Sequence, residues 1–264
     1  LKFLLSAAIA FWIASCAFAE PGDEATPAPT AQQLVDDMLA RLPREPLTVT
    51  GDIILRKRHG VVIRELKFRM ILNWGARPAT ARYVIMDAFG AKLEEMLVSR
   101  EDGQPPQFNY SAADSSKNSR SPDLSVAIQD TDLSWLDLTL SFLWWKAETI
   151  VGKEEIRGRP CYIVEVRPSF SSQRDAKATP ADAAQVARYA KAHLWIDEQL
   201  HMLLQAQGFD SEGKIVRSLW IKSFKKIDDR WMIKDMEIQS SESHRTKLLI
   251  HDVQDVNKNK EPES

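Results

Sequence analysis

Three aspartates lie close enough together in the sequence to suggest chemistry: Asp130, Asp132 and Asp137. Two such carboxylates can work as a general acid and base. The alternative is that Asp130 or Asp132 caps a helix beginning just beyond, its oxygen accepting from the free N–H groups of the first turn; the sequence favours the cap. The histidines are His59, His193, His201, His244 and His251. His244 and His251 are an odd number of residues apart on one expected strand, so they face opposite ways and share no metal. His193 and His201 fall on neighbouring strands and could meet, but other ligands are absent nearby, and a structural role is the better reading. Cys161 heads a strand beside Tyr162, Val164 and Val166, as suits an inert buried thiol. The sequence contains no G-x-S-x-G, H-E-x-x-H, P-loop or G-x-G-x-x-G pattern. The expectation is a chain with no catalytic residue, no metal and no cofactor.

The charge balance points the same way. The 264 residues include 35 basic and 37 acidic side chains, a net formal charge of -2, and 44% are apolar. This is an ordinary globular composition without the basic stripe that nucleic acid requires. A nucleic-acid partner is excluded.

The elements that would position a site follow from hydrophobic spacing. Leu34, Val35, Met38, Leu39 and Leu42 recur at helical intervals, so Ala31–Leu42 is read as an amphipathic helix closed by Pro43. Beyond it the period becomes two. In Val61–Trp74 one face carries Leu66, Phe68, Met70, Leu72 and Trp74, while Glu65, Lys67, Arg69 and Asn73 take the other. That alternation means a strand with one dry and one wet face. Similar stretches with turn signals between them give about ten or eleven strands, and a sheet with one dry face must curl into a sandwich or barrel to cover it. No βαβ rhythm is present. Polar stretches at Ser111–Pro122 and Ser169–Pro180 read as loops, and Ala181–Tyr189 as a short helix.

One segment carries an unusual aromatic load. Asp132–Trp145 holds Trp135, Phe142, Trp144 and Trp145, and its spacing predicts a helix with Trp135, Leu138 and Phe142 on one face. Either it fills the dry face of the sheet as core, or it is a lid over an apolar cavity. Six methionines, Met70, Met86, Met96, Met202, Met232 and Met236, fall in expected strands, where flexible side chains suit a cavity for varied apolar ligands but equally suit a core. Taking a ~16-carbon acyl chain from a membrane costs on the order of 12 kcal/mol, which only a long apolar trough can offset. Leu66, Phe68, Met70, Leu72 and Trp74 are its candidate wall, with Trp135, Phe142 and Trp144 on the covering helix. The reading needs a hollow that the protein's own side chains leave partly unfilled.

At the other end of the sequence, Lys2 precedes an apolar run from Phe3 to Ala19 ending in Ala17-Phe18-Ala19, the pattern of a secretory signal peptide. Ile13-Ala14-Ser15-Cys16 resembles a lipobox, which would make Cys16 a lipidated N-terminus and tether the protein to a membrane. Cleavage after Ala19 would instead release a soluble periplasmic protein. The expected organisation is a signal at 1–19, a Pro-rich polar tether at 20–30, one β domain at 31–256 and a polar tail at 257–264.

Several segments carry a family resemblance. Asp130–Leu138 (DTDLSWLDL), Gly152–Val166 (GKEEIRGRPCYIVEV), Leu194-Trp195-Ile196-Asp197 and Gly208–Lys214 (GFDSEGK) occur in the order seen in the outer-membrane lipoprotein-sorting, LolA-like family. The likeness spans roughly Leu47 to Val253. It implies a mainly β fold, an open antiparallel half-barrel with helices covering its concave apolar face. It implies binding of lipid or lipoprotein acyl chains in the periplasm or at the outer membrane, with an envelope transporter as a possible partner. The chain departs from the pattern in one respect: no position matches the basic residue that lines the hollow of the best-known carriers. Two other readings stay open, a lipid hydrolase using the same trough and an envelope scaffold that binds no lipid.

Overall fold

The structure, a computed structural model, describes residues 28–57, 59–101, 104, 106–113, 124–168, 189–227, 230–240 and 244–256. The expected signal peptide with Cys16, most of the tether, the tail, much of both polar loops and residues 181–188 of the expected short helix lie outside these.

The first element is α1 (Ala31–Ala40). Thr30 starts it with a reciprocal cap: its Oγ1 accepts from Gln33 N at 3.2 Å, and Gln33 Oε1 accepts from Thr30 N at 2.8 Å. The buried stripe Ala31, Leu34, Val35 and Met38 turns inward, and the helix lies against the strands Lys146–Ile156 and Arg159–Arg167.

Twelve strands follow, rather than ten or eleven: β1 (Leu47–Lys57), β2 (Val62–Asn73), β3 (Ala79–Met86), β4 (Lys92–Arg100), β5 (Gln107–Ala112), β6 (Lys146–Ile156), β7 (Arg159–Arg167), β8 (Lys191–Asp197), β9 (Leu203–Phe209), β10 (Ile215–Ile227), β11 (Arg230–Gln239) and β12 (His244–Asp255). All pair antiparallel in one sheet of order β5-β4-β3-β2-β1-β12-β11-β10-β9-β8-β7-β6. The last strand closes against the first, so the two halves of the chain join at the middle of the sheet, and β5 and β6 are left at its two edges. The expected half-barrel is what forms.

Alternation makes one face dry. In β2, Leu66, Phe68, Met70 and Leu72 are buried, while Glu65, Lys67 and Arg69 are exposed. Register shifts at Thr50/Gly51 and around Ser223 break the ladder, and such bulges bend and twist a sheet. At Gly51 the bend brings backbone and ring so close that a Cβ would lie 2.0 Å from the Leu249 carbonyl oxygen and 2.8 Å from the Phe68 ring. Only glycine leaves Phe68 its place.

Topology also dictates what covers the dry face. The chain leaves the sheet at β5 and re-enters at the opposite edge, β6, and residues 124–145 precede that re-entry. This segment does not form the single helix expected over Asp132–Trp145. It is built of single turns: a 3-10 turn at Ile128–Asp130, the α-helical turn α2 (Trp135–Leu138) and a second 3-10 turn at Ser141–Trp144. Leu140 takes a left-handed conformation, φ 48°, which ends the helical ladder after one turn. The amphipathic spacing was right locally, but the chain bends to follow a curved hollow.

Candidate functional site: a plugged half-barrel

The segment from Leu124 to Trp145, called the plug here, lies in the concave face. Leu133, Trp135, Leu136, Leu138, Phe142 and Leu143 are all buried and form one cluster with Leu66, Phe68, Met70 and Leu72. The candidate wall and candidate cover are thus brought together, except at one end. Trp74 and Trp144 are only partly buried there and meet edge to face with ring centroids 6.3 Å apart. The Arg100 guanidinium stacks 3.6 Å from the Trp144 ring centre, and burial pulls its pKa down to about 10.

The expectation of a partly empty trough is not met in this state. Beside Phe142 and Arg217 the enclosed space is about 10 Å³, no more than one water occupies. At that place the hollow is filled by the plug's own side chains.

What holds the plug is polar. Ser134 Oγ accepts from Asp137 N at 3.3 Å, and Asp137 Oδ2 accepts from Ser134 N at 3.0 Å and from Ser134 Oγ at 2.5 Å. This is a capping box, so the cap of α2 is Ser134 and not Asp130 or Asp132 as the sequence suggested. Asp137 then faces a buried cation: Arg217 Nη1 lies 3.4 Å from Asp137 Oδ2. Tyr189 donates its hydroxyl to Asp137 Oδ1 at 3.2 Å. Burial drives the Tyr189 pKa far above its ordinary value, reinforced by Asp137. Burial would lower that of Arg217, but Asp137 and Tyr189 outweigh it and leave it raised. The guanidinium is nevertheless incompletely served, since Nε and Nη1 have no hydrogen-bond partner.

A second polar anchor sits nearby. Asp132 donates its backbone N–H to Thr246 Oγ1 at 2.8 Å, and Thr246 Oγ1 donates back to Asp132 Oδ2 at 3.2 Å. Ser240 closes the other side, donating through its hydroxyl and backbone N–H to Asp132 Oδ1. Two of the three candidate acid/base carboxylates, Asp132 and Asp137, are therefore engaged in fixing the plug to β10, β12 and the residue after β11, while Asp130 is exposed.

Arg217 is the residue that sequence reasoning missed. It stands at an inward position of β10 with Leu219 and Ile221, and is 5% exposed in an otherwise apolar row. A lone arginine at the parity of the dry face was the available signal. The histidines stay apart: His193 contacts Glu165 at 3.1 Å and His201 lies 3.4 Å from Asp37 on α1. No group of three or more His, Cys, Asp or Glu among the described residues could hold a metal. Cys161 is fully buried, and burial pushes its thiol up to about 11.

These features agree with known structures. A family model described as an uncharacterized protein matches residues 94–261, well over half the chain. A DUF1329-family protein from Desulfovibrio piger superposes with a TM-score of 0.67 at 17% identity, covering 86% of this chain and 92% of that one. A LolA-superfamily protein from Nitrosomonas europaea gives 0.63 at 13% identity, with 86% and 94% covered. A domain assigned to outer membrane lipoprotein sorting, from Vibrio parahaemolyticus, gives 0.65 at 13% identity, with 85% and 91% covered. The chain belongs to the family of that model, and its fold is LolA-like. No curated protein matches its sequence. The LolA-like half-barrel is thus established here, with its concave face occupied by the crossover between the two sheet edges.

Proposed function

We propose that this chain is an exported envelope protein that binds acyl chains of lipids or lipoproteins in its half-barrel, and that the plug withdraws to admit them. It performs no catalysis. Its place is the periplasm, or the outer membrane if Cys16 carries a lipid, and its task is lipoprotein sorting or lipid transfer, in which an envelope transporter could supply the cargo.

The observation that carries the reading is a polar latch inside an apolar hollow. A segment meant only as core is held best by apolar packing, and a buried ion pair is a poor stabiliser next to hydrophobic side chains of similar size. The plug is held instead by hydrogen bonds from Tyr189 to Asp137 and from Thr246 to Asp132 and by the Asp137–Arg217 ion pair, in short turns interrupted by left-handed residues. Such contacts open as a unit. The magnitudes permit exchange. Burying six large apolar side chains is worth about 9–18 kcal/mol at ~1.5–3 kcal/mol each, the same range as the ~12 kcal/mol of one long acyl chain. Plug and ligand compete on nearly equal terms.

The hydrolase reading has no nucleophile, and its candidate bases are tied to the plug. The scaffold reading draws support from one observation, the filled hollow. Native mass spectrometry of protein purified from its own envelope separates the two. The carrier reading expects co-purifying lipid, lost in Phe68→Asp, and delipidated protein that takes up a fluorescent fatty acid. Protein that carries none and takes up none is a scaffold.

A further inference from the structure

Near β5 a second space opens, of about 290 Å³, walled in part by Glu94, Tyr110, Gln129, Asp130 and Trp135. Glu94 is on β4 at the inward parity of Met96 and Val98, and it is 5% exposed. Its Oε2 accepts from the Tyr110 hydroxyl at 3.0 Å and its Oε1 from Gln129 Nε2 at 2.9 Å. These two donors are neutral. Among the described residues Glu94 has no cationic partner, in contrast to Glu95 beside it, which pairs with Arg82 and Lys92. Tyr110 is held as a donor, its pKa pushed up to about 12 by burial and then by Glu94.

A buried carboxylate is costly to keep ionised unless a positive charge meets it. The cavity it lines is open to solvent and large enough for ~10 water molecules, so the missing charge can come from outside. The rest of the wall fits a cation with carbon attached. Tyr110 and Trp135 stand edge to face with centroids 6.1 Å apart, a surface that attracts ammonium groups and their methylenes. Asp130 stands at the rim, largely exposed and 3.6 Å from Arg64.

We propose that this pocket binds an alkylammonium group, its charge on Glu94 and its carbons against Tyr110 and Trp135. If the hollow takes acyl chains, as proposed above, the ammonium is the headgroup amine of a lipid; a free small amine has the same chemistry. Because Trp135 belongs to both the pocket and the plug, occupancy of the two is linked.

Calorimetric titration of the full chain tests this with decylammonium, decanol and ethanolamine, and with phosphatidylglycerol vesicles with and without phosphatidylethanolamine. Decylammonium is expected to bind at least tenfold tighter than decanol, and Glu94→Gln to erase that difference while leaving decanol within twofold. Ethanolamine binding with the same Glu94 dependence marks a free amine as the ligand; uptake only from vesicles containing phosphatidylethanolamine marks a headgroup. Equal binding of decylammonium and decanol by the unaltered protein overturns the proposal, as does a preference that survives Glu94→Gln. Decanol binding without an amine preference would leave the acyl-chain reading intact and remove this one. Ethanolamine binding without any uptake of decanol would do the reverse.

Discussion

The two faces of the sheet use charge in opposite ways. On the convex face the ion pairs are redundant. Glu165 is served by Lys191, His193 and Arg167 together, Glu237 by Lys222 and Arg245, and Glu95 by Arg82 and Lys92. Most of these cations are a third or more exposed, so each pair is replaceable and adds little. On the concave face Arg217 is set against Asp137 in a dry cluster with part of its guanidinium unbonded. The outer networks keep the face soluble. The inner pair is expensive, and it sits where the proposed withdrawal of the plug would break it. Charge in this protein is most informative where it is scarce.

The largest break in that contrast comes from Arg217→Ala. It strands Asp137 in the core and is expected to cost about 3–5 kcal/mol in urea unfolding. Pairing it with Asp137→Leu removes the stranded charge and should recover most of the loss, short of about 1 kcal/mol for the Ser134 cap. If the double variant is as unstable as the single one, the latch is not a coupled pair. Next comes Gly208→Ala. Its Cβ would lie 2.8 Å from the Tyr189 ring, so Tyr189 must move off Asp137, at about 1–3 kcal/mol.

The convex face should respond more mildly, and to acid. Burial would raise the Glu165 carboxyl, but Lys191, His193 and Arg167 outweigh it and hold it near about 2, against an ordinary 4.5. Its contribution is therefore complete above pH 4.5 and is lost as the pH falls from there towards 2. Thermal melts across that range should flatten in Glu165→Gln. The smallest effect is expected from Arg82→Ala. Its side chain is half exposed and Lys92 still serves Glu95, so the loss is about 0.2–1 kcal/mol and salt removes it.

Much of this was legible in the sequence, for a physical reason. Period-two spacing is a local signal, and Leu66, Phe68, Met70 and Leu72 announced both a strand and its dry face before any partner was known. The plug was half legible. Trp135, Leu138 and Phe142 marked an apolar segment, but helical spacing cannot reveal that Leu140 turns left-handed or that Ser134 supplies the cap. Of the latch, the inward parity of Arg217 was legible, but its partners were not. Asp132 meets Thr246 and Asp137 meets Arg217 only because the sheet closes β12 onto β1 and carries the crossover over its face, and no local pattern encodes that. Whether the hollow would be empty was equally hidden, since filling depends on the path of the crossover and not on its composition.

Withdrawal of the plug is the central claim, and hydrogen exchange of the full chain with and without a bound fatty acid tests it most directly. The amides of Leu136, Leu138 and Thr139, bonded to the carbonyls of Leu124, Ser134 and Trp135, should exchange faster with lipid bound, while those of β1 and β2 stay protected. Lipid that binds while the plug amides remain as protected as before would show that the ligand sits elsewhere and that the plug is permanent core.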